Sequence, residues 1–344
     1  AILSQFREID PDMPFWVMTR RKNETRVANK TRAMYIFNVV AFIRSLRKAE
    51  IFVNGGGSLM QDATSSRSLY FYLFTLKAAK WCGCKIIMYG CGIGPINLPR
   101  NRRIAAKVLN STADIITLRD KVSLELLKEM KVDKPEIILA ADPTVNIQKA
   151  NPAVVEAAFA KEGVPAGIRM IGFCLRNWPD FRHPEWIGEA ADYAWKTYGL
   201  TPVFLPIEIP KDISAAEKVT AGMTSPYYTC RQKHTVEELI GMLGSMEVVV
   251  GMRLHSLIFA TAGGAPVIGI SYDVKVDSFI KYIGSDSCIS LTSLSKEWLC
   301  KEIDLAVQRG PEKVQEAVAR LREAQKINID AARRLLNRPE ERRA

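Results

Sequence analysis

Short, almost wholly apolar runs alternate along this chain with longer stretches of helical periodicity. No other feature restricts the fold as much. "FWVMT" (15–19), "AEIFVN" (49–54), "KIIMYG" (85–90), "DIITL" (114–118) and "EIILA" (136–140) are β-branched and short. They read as strands, while "YIFNVVAFIRSLRK", "RSLYFYLFTLKAAKWCG", "RNRRIAAKVLNST" and "RDKVSLELLKEMK" carry apolar residues at helical spacing. A strand without polar alternation is buried on both faces, and intervening helices supply the covers. The expected class is therefore α/β with parallel sheets. A second series follows: "MIGFCLR" (170–176), "TPVFLPI" (201–207), "MEVVVG" (246–251) and "PVIGISY" (266–272). Between the two series, 148–168 has two prolines and only a modest helix. The expected organisation is a first α/β domain over 1–147, a connection over 148–168, a second α/β domain over 169–310, and a basic helix over 311–344.

In open α/β sheets ligands bind beyond the carboxyl ends of the strands, so residues at those ends carry the functional reading. In the first half two glycine-rich turns stand there: "NGGGSL", with Asn54, Gly55, Gly56 and Gly57, and "GCGIGPI", with Gly90, Gly92 and Gly94. Neither has the spacing of a dinucleotide fingerprint or of a Walker loop. Each lets backbone approach a ligand closely, and each precedes a helix. Two such turns on one sheet edge are expected to form a wall of a cleft; a lone turn would be read as tight packing.

The second half offers charge instead. Arg176 ends one apolar run, Arg253 and His255 follow the next, and Asp273 and Lys275 follow a third. Three strand ends bearing cations are expected to converge. Arginine suits bidentate capture of phosphate or carboxylate. A buried arginine needs a counter-charge, and neither "LRNW" nor "MRLHS" has an acid beside it. The partner is then either an anionic ligand, with Arg176 and Arg253 sharing one small anion, or a carboxylate distant in sequence.

The 344 residues carry a net charge of +11, unevenly placed. Arg20, Arg21, Lys22, Arg26, Lys30, Arg32, Arg44, Arg47 and Lys48 face Glu24 alone between 20 and 48, and Arg100, Arg102, Arg103 and Lys107 form a second group. Such groups are solvated faces or attract anions, among them an anionic membrane surface. No zinc finger or aromatic RNP motif points to nucleic acid. The seven cysteines show no Cys-x-x-Cys spacing and the three histidines do not cluster, so no metal site is expected. Mostly buried, reduced thiols fit a cytoplasmic protein. No run is long enough to span a bilayer. The opening "AILSQFREID" reads as the inside of a helix, and a natural beginning upstream of it is expected.

Taken together, "NGGGSLMQD", "YGCGIGPI", "ADIITLRDKVS", "ADPT", "GFCLRNW" and "VVVGMRLHSLIFATAGGAPVIGISYDVKVDSF" resemble the polysaccharide pyruvyl transferases, and among them the CsaB type that modifies secondary cell wall polysaccharide. The resemblance runs from about residue 1 to residue 310. It implies a fold similar to the GT-B glycosyltransferases, two Rossmann-like domains with parallel sheets facing a central cleft. It implies phosphoenolpyruvate as co-substrate with no cofactor, and a 4,6-linked pyruvate ketal as product. The implied acceptor is N-acetylmannosamine on a lipid-linked oligosaccharide, at the inner face of the plasma membrane. On this reading Arg176, Arg253, His255 and Lys275 bind the donor, with Asp273 beside them. Asn54, the glycines of both turns, Arg119 and Asp142 line the acceptor side. The chain departs from the pattern at Val274, where proline is frequent.

Phosphoenolpyruvate carries a carboxylate and a phosphate on one small frame. Its transfer needs a proton on the methylene carbon, a base for a hydroxyl, and stabilisation of departing phosphate. Imidazole titrates near neutrality, so His255 is the expected proton carrier. His183 and His234 sit in polar, loop-like surroundings. Asp142 or Asp273 is the candidate base, and Lys275 is placed to neutralise phosphate. Two other readings stay open: a GT-B glycosyltransferase in which Asp273 or Glu237 holds a nucleotide ribose, and a binding protein without catalysis, for which the histidine has no use.

Overall fold

The computed structural model describes residues 1–63 and 65–337. The chain divides into two compact units: Ala1–Thr144 with the chain from Arg322, and Val145–Leu321. In the first, β1 (Trp16–Thr19) and β2 (Arg32–Tyr35) form a two-stranded parallel sheet. β3 (Ile51–Gly55), β4 (Lys85–Cys91), β5 (Ile115–Leu118) and β6 (Glu136–Leu139) pair in chain order as a four-stranded parallel sheet. The second unit holds β7 (Met170–Cys174), β8 (Thr201–Phe204), β9 (Tyr228–Thr229), β10 (Val248–Gly251), β11 (Val267–Ser271) and β12 (Cys288–Ser290). All are parallel, in the order β12-β11-β10-β7-β8-β9.

That order has a functional consequence. From β7 the chain steps outward to β8 and β9, then returns to the other side for β10, β11 and β12. The switch lies between β7 and β10, where crossover connections leave in opposite directions and open a crevice at the carboxyl ends. Ile171, Phe173, Val248, Val250, Ile268 and Ile270 fill the core around it, covered by Ile187, Ala190, Ala191 and Ala194 of helix Pro184–Tyr198. Helix Leu254–Gly263, which leaves β10, packs against helix Val236–Gly244 glycine to glycine: a side chain on Gly244 would stand 2.7 Å from the backbone of Gly263. Only a residue without Cβ fits there, and the contact fixes where the helix begins.

The nine strands read from the sequence are present, with ends trimmed by a few residues. Three short ones were not legible. β2 buries only Met34 of its four residues, β9 has two residues, and β12 has three. So little buried surface leaves almost no pattern. For the same reason "YIFNVVAFIRSLRK" is helical only from Val39: Tyr35 ends β2, and the Asn38 side chain caps helix Val39–Leu46 by accepting from the Ala41 N–H at 2.9 Å.

The boundaries also differ. Residues 148–168 are not a separate connection, because helix Pro152–Lys161 belongs to the second unit, with Val155 and Phe159 buried. The Ala150 N–H donates to the Glu237 carbonyl at 2.9 Å. The terminal helix is not a separate body either. Of Glu312–Leu336, the part from Arg322 packs into the first unit, with Ala331, Ala332 and Leu336 against Phe6, Ile87 and Tyr89. Asn328 donates to the Ala141 carbonyl at 2.9 Å. Residues 338–344, which the sequence reading placed in the same helix, lie outside the described residues. Among the described residues no helix is long and apolar enough to cross a membrane. All seven cysteines are free, and burial pushes the Cys91, Cys174, Cys230 and Cys288 thiols up to about 12.

One buried carboxylate gives a pH-dependent prediction. Asp192, 8% exposed, accepts from the backbone and hydroxyls of Thr224 and Ser225 at 2.7–3.1 Å. Burial alone would raise its pKa, but these hydrogen bonds prevail and hold it at about 2. A folded-state value below the unfolded one means stability that is present above pH ~4 and lost as pH falls toward 2. Asp192→Asn is expected to cost about 2 kcal/mol at neutral pH and to match the parent near pH 2. Urea unfolding across that range measures it.

Candidate functional site

In the first unit the two glycine turns are joined. The Gly92 N–H donates to the Gly57 carbonyl at 2.9 Å, Gly94 to Met60 at 2.7 Å, and Gly56 to Tyr89 at 3.2 Å. Gly56, Gly57, Gly90 and Gly94 have positive φ, which favours glycine over residues with a side chain. Gly92 is glycine for a different reason. A Cβ there would stand 2.7 Å from Ser58 Oγ and 3.2 Å from Arg119 Nε. Gly55 is the last residue of β3, and Asn54 before it is buried, its side-chain oxygen without a partner among the described residues.

Arg119, just beyond β5, organises this edge. It is 7% exposed, donates to Asp142 at 2.5 Å and to Ser58 at 3.2 Å, and lies 4.0 Å from the Asp120 carboxylate. Asp142 gives its other oxygen to the Thr144 N–H and hydroxyl at 3.0 and 2.7 Å. A carboxylate with both oxygens so engaged is a counter-charge and a poor base. The expectation that Asp142 activates a hydroxyl is corrected on that ground.

In the second unit the strands that precede the cationic residues, β7, β10 and β11, are neighbours. Arg176 and Arg253 therefore follow the two strands that flank the switch point. Arg176 is half-buried and lies against two rings, its guanidinium carbon 4.9 Å from the Trp178 centroid and 5.0 Å from that of Tyr272. It donates to the Tyr272 hydroxyl at 2.7 Å. Among the described residues it has no acidic partner. Asn177 beside it accepts from the Lys218 ammonium at 3.0 Å, which adds a cation to the same strand end.

Arg253 differs from expectation. It donates to Asp212 at 2.6 Å and to Glu208 at 2.9 Å. The Asp212 side chain is 1% exposed. Burial works against the guanidinium charge, and the two carboxylates overcome it and raise its pKa. Lys211, ahead of Arg253, holds the Glu208 carboxyl below the usual range. The acids come from the loop after β8, 41 and 45 residues away in sequence. Arg253 is thus a charge-compensated clamp between that loop and the start of helix Leu254–Gly263, and the pair of unpaired arginines sharing one anion is corrected. Asp273 caps helix Val274–Tyr282 by accepting from the Lys275 N–H at 3.1 Å, and its carboxylate lies 3.5 Å from the Lys275 ammonium. Val274 stands at the first helical position, where proline is tolerated but not needed, so the cap survives the departure noted above.

His255 lies exposed in the first turn of its helix, its ring 6.0 Å from Phe259. His183 stacks on Trp186 at 3.9 Å and pairs with Glu185 at 2.8 Å. His234, which reads as a polar loop residue, is instead buried against Glu162 at 2.7 Å. Glu208, Asp212, Ser58 and the ring pair of Trp178 and Tyr272 were not read as site residues. Ser58, Trp178 and Tyr272 stand within or beside motifs already singled out and so carried a signal, whereas Glu208 and Asp212 carried none.

The family model of polysaccharide pyruvyl transferase matches residues 1–274. No curated protein matches the chain. Among solved structures, the chain is similar to the UDP-GlcNAc 2-epimerase of Neisseria meningitidis bound to UDP-GlcNAc, with 12% identity, 97% of this chain and 96% of that one covered, and a TM-score of 0.63. A glycosyltransferase of Rickettsia africae gives 13%, 98%, 96% and 0.62. HepE of Anabaena in complex with UDP-glucose gives 12%, 92%, 88% and 0.61. At such identities the likeness concerns the fold, which is of the GT-B type. The match over residues 1–274 concerns the chemistry, and by it this chain belongs to the polysaccharide pyruvyl transferase family and is a transferase enzyme.

Proposed function

We propose that the chain transfers the pyruvyl unit of phosphoenolpyruvate to two hydroxyls of one sugar. The product is a 4,6-linked ketal, and phosphate is released. The proposed acceptor is N-acetylmannosamine of a lipid-linked cell-wall glycan precursor, as in the CsaB type, used at the cytoplasmic face of the membrane. The observation that carries this reading is Arg176: a half-buried guanidinium at a topological switch point, seated against Trp178 and Tyr272, with no acidic partner among the described residues. Such a group awaits an anion.

The reaction balances without a further reactant. A proton is added to the methylene carbon, one sugar oxygen bonds to C2, and the second sugar oxygen displaces phosphate from C2. One hydroxyl proton replaces that delivered to the methylene, and the other leaves with phosphate. Arg176 fixes the donor by an anionic group, Lys275 meets the charge of departing phosphate, and His255 carries the proton. Arg253, compensated by Asp212 and Glu208, holds the start of the helix that bears His255. The joined glycine turns and Arg119 are assigned to the acceptor.

Phosphoenolpyruvate is expected to raise the unfolding temperature, by about 2.7 kcal/mol of added stability at a hundredfold excess over its dissociation constant, and UDP is expected to leave it unchanged. The reverse result would replace this reading by a nucleotide-sugar transferase. Arg176→Ala is expected to lower kcat/KM for phosphoenolpyruvate about 10²-fold, and Arg176→Lys to recover little of it, because an ammonium lacks the planar fork that holds an anion by two hydrogen bonds. Release of phosphate in steady state measures both.

A further inference from the structure

Helix Ser66–Trp81 presents an unusual outer face. Its exposed positions Arg67, Tyr70, Phe74, Lys77 and Trp81 follow one another at three- and four-residue steps, so they form one stripe of two cations and three aromatics. Trp81 is 82% exposed and Phe74 43%. The helices packed on either side continue the face. Helix Pro99–Thr112 shows Arg100, Arg103 and Lys107, again at three- and four-residue steps. Helix Val39–Leu46 shows Val40, 61% exposed, with Arg44 one turn beyond. Tyr70 ties the first two helices together by donating to Asn101 at 2.5 Å.

None of the three helices contains an aspartate or glutamate. Among the described residues Asp114 pairs with Lys80, Glu129 with Arg102, and Asp62 accepts from the Asn101 side chain at 2.8 Å, so the acids that reach this layer are taken up by other partners. Arg44, Arg67, Lys77, Arg100, Arg103 and Lys107 have no acidic partner among the described residues. A purely solvated face does not need an exposed tryptophan, and a protein-protein interface is depleted in lysine. Aromatic rings at headgroup depth between cations that reach anionic headgroups are the composition of an interfacial helix.

We infer that this three-helix face docks the protein on an anionic lipid bilayer, with Phe74 and Trp81 entering the headgroup region and the surrounding cations bound to lipid phosphates. The face is independent of the reaction at the strand ends. Only its use, bringing the enzyme to a lipid-borne acceptor, rests on the function proposed above. It differs from the basic run 20–48 taken alone: within that run Arg21 pairs with Glu24, while Arg20 and Arg32 lie over the rings of Phe37 and Trp16.

Sedimentation with vesicles of phosphatidylcholine containing one-third phosphatidylglycerol tests it. The parent protein is expected to pellet with these vesicles at low salt, to be released as salt rises, and to ignore pure phosphatidylcholine. Lys77→Gln with Arg103→Gln is expected to weaken partition roughly thirtyfold, at about fivefold per cation. Phe74→Ser with Trp81→Ser is expected to weaken it at all salt concentrations, and Trp81→Phe to remove a blue shift of tryptophan emission seen with vesicles. Unchanged pelleting of both double variants overturns the proposal. So does displacement by a DNA duplex without any emission shift, which assigns the face to soluble polyanions, or a parent dimer that the variants disperse, which makes the face a self-contact. If a variant fails to fold, quenching of the unaltered protein by brominated phosphatidylglycerol decides: no quenching rules out insertion. Phosphate release with a soluble acceptor, unaffected by these exposed substitutions, reports separately on the proposed chemistry.

Discussion

His255→Gln is expected to keep the stabilisation by phosphoenolpyruvate and to lose turnover about 10²–10⁴-fold, the usual contribution of a positioned acid or base. The residue stands in the first turn of helix Leu254–Gly263, directly beyond β10 and so at the switch point of the second sheet. Glutamine retains the size and the hydrogen-bonding capacity of the imidazole but cannot deliver a proton. Turnover and thermal stabilisation measured on the same preparation separate the two roles. His183→Gln is the matched control, because His183 is taken up by Glu185 and Trp186 and its loss is expected to leave turnover near the parent value. A His255→Gln enzyme working at the parent rate would return the histidine to a structural role and move the proton step elsewhere, with Asp273 and Lys275 next in line.

Arg253→Met is expected to cost about 3–5 kcal/mol of stability, the largest loss we foresee for a single substitution. Methionine fills much of the volume but leaves Asp212, whose side chain is 1% exposed, without its counter-charge. Asp212 still accepts from the Glu208 N–H at 2.8 Å, which orients the carboxylate but does not neutralise it. The double variant Arg253→Met with Asp212→Asn is therefore expected to regain part of the loss, and the two single variants to be non-additive. Urea unfolding of the four proteins in this cycle gives the coupling. Turnover falls as well, since the clamp sets the start of the helix that carries His255. Undiminished stability combined with lost phosphoenolpyruvate binding would overturn the clamp and restore Arg253 as a direct donor ligand.

The two arginines show what kind of information each level holds. In sequence they look alike: each ends a buried run, and neither has an acid beside it. In the folded chain Arg253 meets two carboxylates from the loop after β8, while Arg176 meets two aromatic rings and no acid among the described residues. The difference depends on which loop the sheet order places over which strand end. That order, β12-β11-β10-β7-β8-β9, is not written in local periodicity. The same holds in the first unit. Both glycine turns were legible as strand-end turns, but their mutual hydrogen bonds, and the burial of Arg119 between Ser58 and Asp142, come from the pairing of β3, β4 and β5.

The sequence by itself determined the class of fold, nine of the strands and the residues that stand at their carboxyl ends. It could do so because burial on both faces of a parallel sheet leaves unbroken apolar runs, and because loops begin where those runs stop. It did not determine β2, β9 or β12, which bury too little surface to impose a pattern. It could not show that 148–168 belongs to the second unit, or that the chain from Arg322 packs into the first, since amphipathic helices look alike wherever they dock. Which cation keeps a free charge, and which exposed stripes line up on neighbouring helices, only the tertiary structure decided. Both depend on distances between residues far apart in the chain, and electrostatic compensation acts through space.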